Sequence, residues 1–276
     1  MPRRLSYLAV EGHQDAAFIG RLLRVGGFQL VIRKPDLDPA FSRLVPARFP
    51  HGDDLLKRVP VPFFHQKEDH AVALRPAGGE GELAACAVLA VPQISRPVEA
   101  IGFVLDADYR VALDQRVAEL VRQVARRSAT PGFAVPETPG LLHAGPPRCG
   151  VFVMPDNVNP GTIEDLLLEW AEVHYPGLLA QATSYVHSID RTRLSESDLT
   201  EIEAPAGSKK ARVAAIGAVL KPGKAIQNSI ADNRWLEGAA AEQPRVAAFR
   251  AFLRDLLDEP TLYPSPSAAS AAASSP

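Results

Sequence analysis

The chain has 276 residues, 46% of them hydrophobic, and a formal net charge of −2 from 30 Lys and Arg against 32 Asp and Glu. This supports one large apolar core and excludes a global electrostatic pull toward nucleic acid, so any such binding rests on a local basic patch. Cys86 and Cys149 stand far apart without a Cys-x-x-Cys, which argues against a disulfide framework or zinc knuckle and makes a reducing cytoplasm the expected location.

The start, Met1-Pro2-Arg3-Arg4-Leu5, leads into an apolar run too short for a signal peptide, and no stretch reaches the roughly 18 apolar residues of a membrane span. Residues 5–11 predict a first strand and 13–25 a helix, with Phe18, Leu22 and Val25 at i, i+4 and i+7 turned toward the sheet. Gly26-Gly27 stops that helix, and residues 28–32 predict a strand that completes a parallel β-α-β opening. Prolines 35, 39, 46, 50, 60 and 62 break up the next segment, leaving a short helix at 52–58 and a strand at 71–74. Further on, the pattern predicts a helix at 80–89, a strand at 98–106 and a helix at 110–127. That last helix buries Val111, Leu113, Val117, Leu120, Val121 and Val124, and Arg116, Arg122, Arg126 and Arg127 form its solvated face. A strand at 149–154 and a helix at 163–172 follow, the latter opened by a Thr162-x-x-Asp165 capping pattern. The region 177–258 predicts helices at 178–188, 208–220, 226–233 and 244–257. The aperiodic, almost uncharged end predicts a flexible tail over 261–276. With no internal repeat and no clear linker, one domain over 1–260 is expected: an α/β core over about 5–175 and a helical part over about 177–258.

Acids end the strands. Val10-Glu11-Gly12 closes the first, Asp106-Ala107-Asp108 a later one and Asp156-Asn157 a third. A strand that stops at a carboxylate carries it to the carboxyl edge of a parallel sheet, where open α/β folds bind ligands. Several carboxylates meeting there repel unless a cation lies between them, and a hard, oxygen-seeking ion such as Mg²⁺ suits them. Asp106 and Asp108 are two apart and share one side of a strand end, or serve as turn residues capping the next helix. Asp15, Glu164 and Asp165 sit in first helical turns, where a carboxylate complements the dipole with or without a further duty. Lys209, Lys210 and Arg212 follow Ser208 at the start of a helix, either as a solvated charged end or as a phosphate-binding group assisted by the helix amides. His13, inside the Glu-Gly-x-x-Asp turn, is read as a partly exposed turn residue, and no histidine pair has metal-ligand spacing. No Gly-x-x-x-x-Gly-Lys-Ser/Thr, Gly-x-Gly-x-x-Gly or Gly-x-Ser-x-Gly motif is present.

The pairing of Val10-Glu11-Gly12-x-x-Asp15 with Asp106-x-Asp108 resembles the Toprim fold of type IA topoisomerases, bacterial primases, OLD-family nucleases and small RNA-maturation nucleases. A closer resemblance is to an uncharacterised bacterial Toprim-like family. It is carried by Met154-Pro155-Asp156-Asn157, by Pro160-Gly161-Thr162-Ile163-Glu164-Asp165, by Lys210-Ala211-Arg212 and by Phe249-Arg250-Ala251-Phe252-Leu253. The resemblance implies a Toprim-like, Rossmann-like α/β fold: a mostly parallel sheet between helices. It implies Glu11 as metal ligand or proton-transfer group and Asp106 and Asp108 as ligands of Mg²⁺ or Mn²⁺. With the residue reading, which adds Asp156 as a ligand, Lys210 as a catalytic cation and Lys209 and Arg212 as phosphate contacts, the expectation is a metal-dependent nuclease of DNA or RNA. Two alternatives stay open. One is a non-catalytic Toprim-like nucleic-acid or nucleotide-binding module in a defence or repair assembly with a protein partner. The other is a nucleotide-hydrolysing or phosphate-transferring enzyme of a small substrate. No membrane association is expected.

Overall fold

The chain opens with β1 (Arg4–Val10) and α1 (His13–Val25). It continues with β2 (Gln29–Leu30), β3 (Phe63–Gln66), β4 (His70–Pro76), α2 (Leu83–Ala90), β5 (Ala100–Asp106), α3 (Leu113–Arg127), β6 (Leu142–His143) and β7 (Arg148–Met154). Helices α4 (Ile163–His174), α5 (Pro176–His187), α6 (Glu196–Glu203), α7 (Gly207–Leu220), α8 (Ile226–Asp232) and α9 (Pro244–Leu257) complete it. The structure is a computed structural model and describes residues 2–47, 61–107, 109–260 and 262. The expected helix at 52–58, Asp108 and the expected tail other than Leu262 lie outside the described residues.

The strands form one sheet in the order β2-β3-β4-β1-β5-β7-β6, and its middle four, β4-β1-β5-β7, are parallel. Those four read as near-continuous apolar runs because both of their faces are covered. Leu8, Val10, Val104, Phe152 and Met154 face a core shared with α1, α4, α7 and α9. Tyr7, Ala9, Ile101, Phe103 and Val153 face the opposite core, shared with α2 and α3. The result is a mixed α/β protein with a mostly parallel sheet between helices. The last helix closes the first core with aromatic contacts, Phe249 lying 4.8 Å from Phe152 and 5.1 Å from Phe18 between ring centroids.

Several expectations are corrected. The 28–32 segment gives only the two-residue β2, which pairs antiparallel with β3 at the sheet edge, so two strands separate it from β1. Leu30 and Ile32 are exposed there, which removes the burial that extends a strand. Phe18 and Leu22 face the core as expected, whereas Val25, in the last turn of α1, is 63% exposed. Val111 precedes α3 and is exposed. Arg116 is not on the solvated face of α3; it is 6% exposed. Leu262 is buried and packs against Gly26, where an added Cβ would collide with it. Among the described residues no helix is long and apolar enough to cross a membrane.

Candidate functional site

The register aligns the ends of the central strands: Val10 pairs with Val104 and Asp106 with Met154. The residue after β1 and the last residue of β5 therefore meet. Glu11 Oε2 accepts the Asp106 backbone N–H at 2.9 Å. Asp106 Oδ1 in turn accepts the Ile163 N–H at 3.2 Å, at the start of α4. On the other side, Asp15 Oδ2 accepts the Gly12 N–H at 2.8 Å, closing the first turn of α1. Two helix N-termini and two strand ends thus deliver four acids to one place: Glu11, Asp15, Asp106 and Glu164.

Asp15 and Glu164 are buried, at 5% and 2% exposure. Burial, followed by the charges of Asp15, Glu11 and Glu164, pushes Asp106 well above the usual carboxylate range. Asp15 is also raised: burial dominates, the Gly12 N–H opposes it, and Glu11 and Glu164 add to it. Together these acids line a cavity of about 510 Å³, with Gln14, Lys210 and the Gly78-Gly79 turn also on its wall. Both glycine N–H groups donate to the Glu11 carbonyl, at 3.1 and 3.2 Å. Their φ angles, +88° and +142°, are those glycine tolerates, while a Cβ at either would meet nothing. Backbone conformation, not space, sets glycine there.

Three oxygens in this cavity wall are buried acceptors without a hydrogen-bond partner: Gln14 Oε1, Asp15 Oδ1 and Glu164 Oε2. Buried polar atoms are paired in the great majority of cases, so three orphaned acceptors together call for a donor or a cation. Their chemistry fits a hard cation. Among the described residues, however, no three His, Cys, Asp or Glu side chains are already grouped as a metal site.

Arg116 is the functional residue that the sequence reading assigned elsewhere. Its Nε and Nη2 donate to the Asp106 carbonyl at 3.0 and 2.7 Å, and Nη2 lies 3.5 Å from Glu11 Oε2. A signal was present: Arg116, Leu120 and Val124 recur at i, i+4 and i+8, which places the arginine on the buried stripe of α3.

The other candidates separate. Lys210 is exposed on the cavity rim. Lys209 points elsewhere, pairing with Asp165 and Tyr109 and lying 4.6 Å from the Tyr109 ring centre. Asp165 also accepts the Thr162 N–H at 2.9 Å, as the capping pattern expects. Against the push of burial, its bonds to Lys209 and Tyr109 hold its carboxyl below the usual range. Arg212 Nε donates to the Ser208 carbonyl at 3.4 Å. Asp156 does not line the cavity. It accepts the Val158 and Asn159 N–H groups and pairs with Arg245 at 3.0 Å, so turn chemistry occupies it. Asn157, at φ 64°, accepts the Val153 N–H at 2.7 Å within the same turn.

Fold and site together define an α/β protein whose parallel sheet ends in a carboxylate-lined cavity. The chain belongs to the family described as "Protein of unknown function (DUF3226)", whose model matches residues 6–258. Among solved structures it is similar to the hypothetical protein PH0156 from Pyrococcus horikoshii OT3. That match has 16% identity and a TM-score of 0.47, and covers 94% of this chain and 98% of that one. No curated protein matches it.

Proposed function

We propose that this protein is a divalent-cation-dependent phosphodiesterase acting on nucleic acid, DNA or RNA, on a Toprim-like core. The observation that supports this reading is the meeting of Glu11, Asp15, Asp106 and Glu164 at the carboxyl edge of a parallel sheet, with Gln14, Asp15 and Glu164 presenting orphaned oxygens. Glu11 and Asp106, with Asp108 from the sequence, are the residues that would hold Mg²⁺ or Mn²⁺, and Asp15 and Glu164 add unsatisfied acceptors. A bound cation supplies Lewis acidity toward a phosphoryl oxygen and lowers the pKa of a water. The protein's own part is positional. Arg116 fixes the Asp106 backbone and neutralises part of the Glu11 charge. The Gly78-Gly79 turn adds no side chain to its part of the cavity wall. Lys210, for which no ion pair is seen among the described residues, contacts a phosphate at the rim.

The test is cleavage of supercoiled plasmid and of single-stranded RNA with Mg²⁺ or Mn²⁺, compared with Asp106→Ala. Loss of cleavage in the variant supports the assignment; full cleavage removes it. A second reading, a binding module without turnover, is favoured by the weakly acidic net charge of −2, which gives a free-standing nuclease no global pull toward its substrate. Calorimetric Mg²⁺ binding with no cleavage of either substrate selects it.

A further inference from the structure

A second cavity, of about 350 Å³, lies beside the acidic one. His13 and Gln227 line both, so the two share a wall. The chemistry changes across that wall. On one side of the second cavity α1 presents the small residues Ala16, Ala17 and Gly20, flanked by His13 and Arg24. Opposite, Phe63 and Leu30 stand at the sheet edge, 41% and 40% exposed. His65 is 3% exposed, and its Nδ1 is buried without a hydrogen-bond partner. It lies close to α1 because residue 20 is glycine: a Cβ there would stand 3.1 Å from His65 Nε2. Burial, then the nearby Arg24 charge, lowers the imidazole pKa to about 4. At neutral pH the ring is uncharged and has one donor and one acceptor.

We infer that this second cavity is a nucleobase subsite, holding the base of the nucleotide whose phosphate lies in the carboxylate cavity. The inference rests on the phosphodiesterase reading for the chemistry next door. A base has apolar faces and a polar edge. Phe63 offers a face for stacking, and the small residues of α1 leave room for a flat ring opposite. The uncharged His65 and the amides of Gln227 and Asn228 address an edge. Stacking on an aromatic side chain is tolerant of base identity. The volume is at the small end for ligand sites, enough for one nucleoside. A base can enter only when unstacked, so the substrate class is a nucleotide or a single-stranded stretch, not an intact duplex.

The test is calorimetry on the whole protein, with adenosine as probe in EDTA and with AMP and ribose 5-phosphate as probes in Mg²⁺. Adenosine and AMP bind, and ribose 5-phosphate binds at least tenfold more weakly. Phe63→Ala weakens adenosine about tenfold, as loss of a stacked base does, and Ala17→Leu weakens it from the opposite wall. Equal binding of AMP and ribose 5-phosphate, with no effect of Phe63→Ala, overturns the subsite. So does 8-anilinonaphthalene-1-sulfonate that binds the cavity and is not displaced by adenosine, which would place an apolar peptide or lipid there. Adenosine carries no phosphate and needs no cation, so its binding stands even if no phosphodiester is ever cleaved. Conversely, cleavage without adenosine binding removes the subsite and leaves the phosphodiesterase reading in place.

Discussion

Glu11 Oε2 accepts the backbone N–H of Asp106 at 2.9 Å, so the end of β1 is tied to the end of β5 by a side chain that is itself a candidate ligand. The carboxylate has two duties, and substitutions separate them. Glu11→Gln keeps an acceptor for the Asp106 N–H and is expected to fold with nearly parental stability while losing metal-dependent cleavage. Glu11→Ala strands the N–H and is expected to lose a further 1–3 kcal/mol, roughly the cost of an unsatisfied buried group. Urea titrations of both variants beside cleavage assays check this. Equal stability losses in the two would remove the structural half.

Asp106→Asn is expected to stabilise the metal-free protein, against the usual sign for a buried-site substitution. Asn keeps the acceptor for the Ile163 N–H and removes one of four crowded charges. The gain is present at pH 7 and fades as pH falls and the parent's crowded carboxyls protonate. The direction follows from linkage. A carboxyl raised in the folded state contributes stability at low pH and loses it as pH rises through its folded value. For Asp15 that window runs from 3.8 to about 7. Mg²⁺ at a hundred times its Kd at pH 8 restores about 2.7 kcal/mol to the parent there, the same concentration restores less at pH 5, and the variant gains little at either pH. Thermal melts with and without Mg²⁺ at both pH values decide the matter, and a parent insensitive to Mg²⁺ at pH 8 rejects the cation site.

Arg116→Met removes a buried guanidinium from the Asp106 carbonyl and from Glu11. The loss is about 3 kcal/mol, typical of breaking one side of a buried charged contact. Arg122→Met, on the exposed face of the same helix, changes stability by less than about 0.5 kcal/mol. Similar melting temperatures for the two would contradict the buried role.

Lys209 and Lys210 are neighbours with different expected phenotypes. Lys209→Ala breaks the contacts to Asp165 and Tyr109 and lowers stability by about 1 kcal/mol. Lys210→Ala leaves the melting temperature unchanged, weakens binding of a single-stranded oligonucleotide and reduces its salt slope by about 0.7. A salt slope unchanged in Lys210→Ala excludes its phosphate contact.

An acid limit comes from the far end of the sheet. Glu259 is 3% exposed and is held by His70, Lys67 and Arg4. Burial opposes its ionisation, but those partners hold its carboxyl at about 2 rather than 4.5. A depressed carboxyl gives stability that is complete above about 4.5 and lost as pH falls toward 2. Glu259→Gln should therefore melt lower at pH 7 and converge with the parent near pH 2. A gap constant across pH would exclude the linkage. In the same network Ser6 Oγ lies 2.8 Å from His70 Nε2, and His70 Nδ1 lies 2.8 Å from Glu259 Oε1. Ser6 is fully buried, so this serine, histidine and acid meet without a surface for a substrate.

The sheet and its acid ends were legible where local pattern and tertiary placement agree. β1 and β5 announce themselves as apolar runs ending in Glu11 and Asp106, and parallel pairing then brings those ends together. Glu164 was not legible, because its first-turn position already has a dipole explanation and only the packing of α4 beside β5 carries it into the cavity. Arg116 was hidden by three solvated arginines on the same helix, although its phase with Leu120 and Val124 marks it as buried. Asp156 resembled the other strand-end acids, yet the Asp-Asn turn claims its oxygens locally. β3 escaped because four residues directly after a proline-rich stretch give too short a period to read, and with it went the cavity formed by Phe63 and His65.

The contact between Arg4 and Glu259 spans 255 positions of the chain. Arg4 opens β1, and Glu259 follows the last described α-helix. Until translation reaches that glutamate, the growing polypeptide holds Arg4 and Lys67 at one end of the sheet with their deepest counter-charge still unmade. The described strands are all made by Met154, yet this ion pair at their end waits for residue 259. A ribosome that stalls shortly before residue 259 leaves behind a chain with its described strands made and an open cationic end, a form suited to capture by chaperones or proteases.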